Sequence, residues 1–185
     1  MLKVSAMSGF GAGGGSVTTS SASGLWEGAT DDYTFVGDDV ASDTQNKSIR
    51  LIDAQYFTGN FEVNGTLTVG STLYIGIYDI AEDSTFNENI DSADLGSMTH
   101  SWWWERMGAT SFGTLKYGSA TQANDIVADG ATIKLERVGS TIKFYEDGTA
   151  VHTFSQTSSN TLRLILSAAN PPDGDLDDLS WTVPG

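Results

Sequence analysis

The residues with most to offer chemically are Trp102, Trp103 and Trp104, consecutive in the segment Ser101–Arg106 (SWWWER). On a strand, successive side chains point to opposite faces, so Trp102 and Trp104 share one face and Trp103 shares the other with Glu105. A sheet with one solvated face buries two of these rings and leaves the third outside. An outward Trp103 beside Glu105 could stack on a sugar ring or pack against a partner protein. A second constellation is PPDGDLDD, in which Asp173, Asp175 and Asp177 alternate. Oxygen-rich loops of this kind can hold Ca²⁺. The spacing of a calcium-binding helix–loop–helix fails, because Asp178 stands where Gly is needed and Pro184 where the bidentate Glu belongs. The competing reading is a solvated acidic turn. Asp31, Asp32, Asp38 and Asp39 join this neighbourhood if the terminal strands pair.

The remaining chemistry is sparse. Gly9, Gly11 and Gly14 match G-x-G-x-x-G, but a dinucleotide loop needs a strand before it and a helix after it. The residues that follow, GSVTTSS, make a poor helix. No Cys is present, which removes thiol catalysis, disulfides and Cys-ligated metal. His100 and His152 are the only histidines, so general-base material is scarce. Glu62 and Glu136 are isolated on their segments. The expectation is a chain without enzymatic activity, with no cofactor beyond the Ca²⁺ candidate.

These residues must be positioned by strands. The 185 residues carry 21 Gly, 19 aromatics and only 18% charged residues, the composition of one all-β domain with many turns. Phe61, Val63, Leu67 and Val69 alternate with Glu62, Asn64, Thr66 and Thr68, the period of a half-buried strand. Leu73, Ile75 and Ile77 repeat it, as do Leu162, Leu164 and Leu166. Shorter strands are predicted at Asp31–Gly37, Ser48–Ile52, Thr114–Tyr117 and Leu179–Val183, and a loop over Ala81–Met98. The meander Ile133–Phe154 is the most closely specified piece. Gly139-Ser140 forms one two-residue turn and Asp147-Gly148 another. The first turn sets Val138 opposite Thr141, Arg137 opposite Ile142, Glu136 opposite Lys143 and Leu135 opposite Phe144. The second sets Phe144 opposite Val151 and Lys143 opposite His152. Leu135, Phe144 and Val151 then share the core face, and Glu136, Lys143 and His152 share the other.

Residues 1–24 differ from the rest. They are Gly, Ala, Ser and Thr with a few apolar residues, and Lys3 is their only charge. They read as an extended N-terminal arm, with the domain at 25–185. The apolar residues Leu2, Val4, Met7 and Phe10 are its candidate docking contacts. The whole chain carries −15 at pH 7, so residues 25–185 carry −16. Such a surface has no footprint for nucleic acid and is repelled by anionic membranes. No apolar run approaches the ~20 residues of a membrane span.

The order of features resembles a concanavalin A-like jelly roll of the lectin, laminin-G and SPRY kind. The residues that carry the resemblance are Gly59–Val63, Leu73–Tyr78, Trp102–Trp104 and the meander Ile133–Gly148 (IKLERVGSTIKFYEDG). It covers roughly residues 25–185 and implies an antiparallel β-sandwich whose last strand returns beside the first. The glycosidase branch of that fold places carboxylates as E-x-D-x-x-E on one strand, and no such triplet occurs here. A Gly-rich arm (Ser8–Gly15) on a small acidic β-domain also resembles bacteriophage virion proteins in style. The resemblance implies a non-enzymatic virion structural protein, made in the host cytoplasm: a capsid decoration (cement) protein docked through its arm. Its partners would be capsid or other virion proteins, or further copies as a homo-oligomer. The alternative is a carbohydrate-binding module of a phage head or tail fibre, with a host glycan as ligand.

Overall fold

The computed structural model describes residues 16–19, 23–37, 39–42, 46–67, 73–89, 92–107, 112–126, 130–168 and 175–183. Its strands are β1 (Ser16–Thr19), β2 (Trp26–Gly28), β3 (Tyr33–Val36), β4 (Asp39–Ser42), β5 (Lys47–Leu51), β6 (Phe61–Leu67), β7 (Leu73–Asp79) and β8 (Ser101–Met107). They continue with β9 (Phe112–Tyr117), β10 (Ala120–Ile126), β11 (Thr132–Val138), β12 (Thr141–Glu146), β13 (Thr149–Thr153), β14 (Leu162–Ala168) and β15 (Asp175–Val183). The one α-helix among the described residues is the short α1 (Ser92–Ser97).

The strands form two antiparallel sheets. One runs β13-β12-β11-β6-β15-β4-β3 with β1 also on β15; the other runs β10-β9-β8-β7-β14-β5-β2. Period-2 alternation explains why they face each other. Phe61, Val63, Leu67, Ile133, Leu135, Phe144, Leu176 and Trp181 point inward from the eight-stranded sheet. Ile49, Leu51, Ile75, Ile77, Trp102, Trp104, Leu115, Leu162 and Leu164 point inward from the seven-stranded one, and all are buried in one core. Trp104 stacks on Phe144 across the gap at 5.8 Å, and Trp26 meets Trp181 edge-on at the same distance.

The strands read from periodicity are present, and β2, β4 and β10 are additional, with β2 and β10 at the two edges of the seven-stranded sheet. The last strand lies between β6 and β4 and also pairs with β1, Ser16 opposite Val183 through Thr19 opposite Ser180. Part of the expected arm is therefore a strand of the domain: Val17, Thr18 and Thr19 are β-branched and suit an open edge. Leu2, Val4, Met7 and Phe10 lie outside the described residues.

The first hairpin of the meander has the predicted register at all four pairs. The second departs from it. Glu146 pairs with Thr149 and Tyr145 with Ala150, but then Phe144 pairs with His152 and Lys143 with Thr153. Val151 is an extra residue, a β-bulge that sequence periodicity does not signal. It moves His152 off the face of Glu136 and Lys143 to the side of Phe144. Arg137 also sits on the core side of β11, where its guanidinium donates to the backbone carbonyls of Phe57, Gly59 and Asn160.

Asp147 and Gly148 both adopt positive φ, 45° and 76°, the conformation of a two-residue hairpin turn. A side chain at Gly148 would meet nothing within 4 Å, so only backbone strain opposes it there. Gly148→Val is expected to lower unfolding free energy by about 1–3 kcal/mol. Chemical denaturation of the two proteins checks this, and equal midpoints would mean that the turn does not need this conformation.

Candidate functional site

Trp103 is buried, 2% exposed, in contrast to the outward ring expected from a one-sided sheet. The seven-stranded sheet has two covered faces. Tyr74, Tyr78, Trp103 and Ile165 project from its outer face and pack with Leu95 at α1, Met98 and Phe86 into a second apolar cluster. The segment predicted as a loop over Ala81–Met98 supplies this cover, as a 3-10 turn (Ile80–Thr85) followed by α1. All seven residues of β7 are consequently buried. Gly76 permits the close approach, since a Cβ there would lie 2.5 Å from the Trp103 Cβ. The Trp103 indole donates to the Gly118 carbonyl at 2.9 Å. Glu105 is buried too, ion-paired with Lys116, whose ammonium stands 4.6 Å from the Trp103 ring centre. Neither Trp103 nor Glu105 is presented to a ligand.

A charged network pins the cover. Asp83, in the 3-10 turn, accepts from Arg50 and Arg163 of the sheet at 3.1 and 3.0 Å and from the Tyr78 hydroxyl at 2.7 Å. Arg163 is 1% exposed and also pairs with Glu27 and Asp53 at 2.6 and 3.0 Å. Burial pushes the Tyr78 hydroxyl well above the usual tyrosine range, and its hydrogen bond to Asp83 adds to the shift. Removing a guanidinium from water is costly unless carboxylates surround it. Three do so here, so the network is a fastening for the cover.

The acidic turn is a different matter. Asp173 lies outside the described residues, and nothing is described of the Asp175 side chain. Asp177 stands opposite Thr66 of β6, and the expected neighbourhood with Asp39 is real: the Asp178 amide donates to the Asp39 carboxylate at 3.2 Å. Among the described residues no three His, Asp or Glu are grouped to hold a metal.

The constellation left open to solvent lies on the outer face of the eight-stranded sheet, and sequence reading missed it. Glu62 on β6 and Glu136 on β11 are far apart in sequence but directly opposite in register. Lys134, two residues from Glu136 and on the same face, bonds Glu136 at 2.9 Å and reaches Glu62 at 3.5 Å. The Tyr145 hydroxyl donates to Glu136 at 2.6 Å, and the Lys134 ammonium lies 4.1 Å from the Tyr145 ring centre. Asn64 stands beside Lys134 on β6. The Glu62 side chain is 49% exposed and that of Glu136 12%. The only advance signal was the meander register, which put Glu136, Lys134 and Tyr145 on one face; the pairing of β11 with β6 is a tertiary fact.

The ionisation of this group is settled by its neighbours. Burial pushes the Glu136 carboxyl up, but hydrogen bonds from Tyr145 and Lys134 and the charge of Lys134 outweigh it, and the net shift is downward. Burial pulls Lys134 down, and its contacts with Glu136 and Glu62 more than reverse this. The hydrogen bond to Glu136, then burial, raises Tyr145. Each of these three shifts moves its group away from neutral pH. General acid–base work needs a group that titrates near the working pH. The arrangement is suited instead to presenting fixed donors and acceptors.

No protein-family model matches this chain, and no curated protein sequence does. Solved structures do. A structure described as a native glycosidic hydrolase aligns with a TM-score of 0.57 at 13% identity, covering 96% of this chain and 99% of that one. The TRIM65 PSpry domain aligns at 0.56 and 12% identity, over 83% and 84%. A Bacillus subtilis protein of unknown function with a galectin-like fold aligns at 0.53 and 10%, over 92% and 87%. At these identities the likeness is one of fold. The chain is an antiparallel β-sandwich of the concanavalin A-like jelly-roll kind, as its sequence pattern implied, and this fold carries glycosidases and lectin-like proteins alike.

Glu136 contributes stability above the ordinary carboxylate range, and that contribution is lost as pH falls through its lowered value. Lys134→Met leaves two facing carboxylates with no cation between them. At pH 7 the variant is expected to lose about 1–3 kcal/mol. The deficit should shrink as pH falls through the carboxylate range, because a proton then relieves the pair. Urea unfolding of both proteins at pH 7 and pH 4 measures it, and a deficit independent of pH would show that Lys134 acts through packing alone.

Proposed function

We propose that this chain is a non-enzymatic assembly protein, in its most specific form a bacteriophage capsid decoration protein attached through its N-terminal segment. The observation that carries the reading is where the positive charge goes. Seven basic side chains are described, and six of them are drawn into internal contacts. Lys47 pairs with Asp32, Arg50 with Glu27 and Asp83, Lys116 with Glu105, Lys134 with Glu62 and Glu136, and Arg163 with Glu27, Asp53 and Asp83. Arg137 is held by backbone carbonyls. The surface therefore presents mainly carboxylates, and copies of the domain repel one another. Attachment to an acidic capsid surface then falls to the near-neutral residues 1–24, whose Ser16–Thr19 run along the β15 edge and leave Leu2, Val4, Met7 and Phe10 as candidate contacts.

A second reading, a carbohydrate-binding module of a phage head or tail fibre, is favoured by one observation. The open face of the eight-stranded sheet sets Lys134 and Glu136 against Tyr145, with Asn64 and Glu62 opposite them on β6. Fixed donors and acceptors beside an aromatic ring match the hydroxyls and apolar faces of a saccharide.

Co-sedimentation with phage capsids tests the first reading. The intact chain is expected to bind, and a chain lacking residues 1–15 is expected to remain folded and fail to bind. Salt shortens the Debye length from about 10 Å at 0.1 M to about 3 Å at 1 M and so weakens repulsion, whereas apolar burial is not screened. Occupancy should hold or rise up to about 0.5 M NaCl. Steep release over that range would mean that ion pairs hold the protein, and the docking mechanism would fall. A saccharide bound by the intact chain and lost in Tyr145→Ala, with no capsid binding, would establish the second reading instead.

A further inference from the structure

The β-bulge at Val151 has turned a titratable side chain inward on an edge strand. Residues directly opposed in an antiparallel pair share a face. His152 opposes Phe144, whose ring lies in the core against Trp104. Val151 packs on the same core, so the bulge directs both residues inward. The His152 ring meets the Phe154 ring edge-on at 4.7 Å, and its Nε2 is buried without a hydrogen-bond partner. Among the described residues, strand β13 is the outermost of its sheet and is paired on one side only, with β12. The titratable groups of β12 are Lys143, Tyr145 and Glu146. Tyr145 is engaged with Glu136, Glu146 stands at the far end of the hairpin opposite Thr149, and Lys143 carries the same sign of charge as a protonated imidazole. Across the core, the ring stacked on Phe144 is the uncharged indole of Trp104.

We propose that His152 makes strand β13 a pH-sensitive edge: docked while the imidazole is neutral, and released from β12 when the ring takes a proton from solvent. Protonation puts a second N–H and a full charge on a ring whose Nε2 has no acceptor, and this burial cost is met by opening the strand. Opening bares the β12 edge and the core around Phe144 and Phe154, a template for strand pairing with another chain. Burial holds the His152 ring below the ordinary histidine value. The docked strand is therefore fully stable above about pH 6.5 and loses stability progressively as pH falls below that.

Native-state hydrogen exchange on the intact chain at pH 8 and pH 5.5 tests this, with rates corrected to protection factors. The β13 amides that point toward β12 report on the strand, together with that of Phe154, which donates to the Ile142 carbonyl at 3.0 Å. Their protection is expected to fall severalfold, up to about tenfold, at pH 5.5, since an open-state imidazole of ordinary value gains a factor of about ten one pH unit below it. The β6–β11 amides should not change, and in His152→Gln the fall should disappear. A second readout needs no variant: the His152 ring, followed by NMR, should titrate below the ordinary histidine value. Unchanged β13 protection, an equal fall in the variant, or a ring that titrates at or above the ordinary value would each overturn the proposal.

Discussion

Three consecutive tryptophans on one strand oblige both faces of the seven-stranded sheet to be covered. Trp102 and Trp104 are covered by the other sheet, as in any sandwich. Trp103 points the opposite way, and leaving an indole in water forfeits about 1.5–3 kcal/mol or more of burial. The chain meets this constraint with its own segment between β7 and β8, which lays Phe86, Leu95 and Met98 over the ring. The cover brings costs of its own. Arg50 and Arg163 lie beneath or beside it, and each needs carboxylates once water is excluded. Glu27, Asp53 and Asp83 are placed to supply them. The second apolar cluster and the ion network are thus two consequences of one strand.

The same closure decides which face of the molecule is available. On the seven-stranded sheet the ring nearest to a sugar-stacking platform is consumed in packing. On the eight-stranded sheet the outer residues are polar and partly exposed, and there the facing Glu62 and Glu136 are tied by Lys134 and Tyr145. Drawing most of the basic side chains into contacts of this kind concentrates negative charge outside. Charge of one sign on this surface makes copies of the domain repel one another at low ionic strength.

Much of the fold was legible in advance, and the point at which reading stopped is instructive. In the meander, Gly139-Ser140 and Asp147-Gly148 specify turns through backbone conformation, and the first hairpin followed residue for residue. The second slipped because a bulge is an energetic compromise between turn geometry and core packing at Val151 and His152, with no local residue code. The Lys134→Met comparison depends on a pairing of β6 with β11 across some seventy positions of chain, which no pattern within either strand encodes. Trp103 was misplaced for a related reason: alternation assigns a side chain to a face but does not say whether that face is solvated.

By itself the sequence determined the quantities that depend on local order: strand periods, turn positions, net charge, the absence of thiol chemistry and the contrast between residues 1–24 and the rest. These follow from short-range sterics and composition, and they suffice for an antiparallel sandwich. Only the tertiary structure decided which carboxylates meet, that Trp103 and Glu105 are internal, that Ser16–Thr19 join β15, and that His152 faces the core. Each of those outcomes turns on what a distant segment covers or pairs with. Burial and charge pairing depend on the distance between side chains in space, and a one-dimensional pattern does not carry that distance.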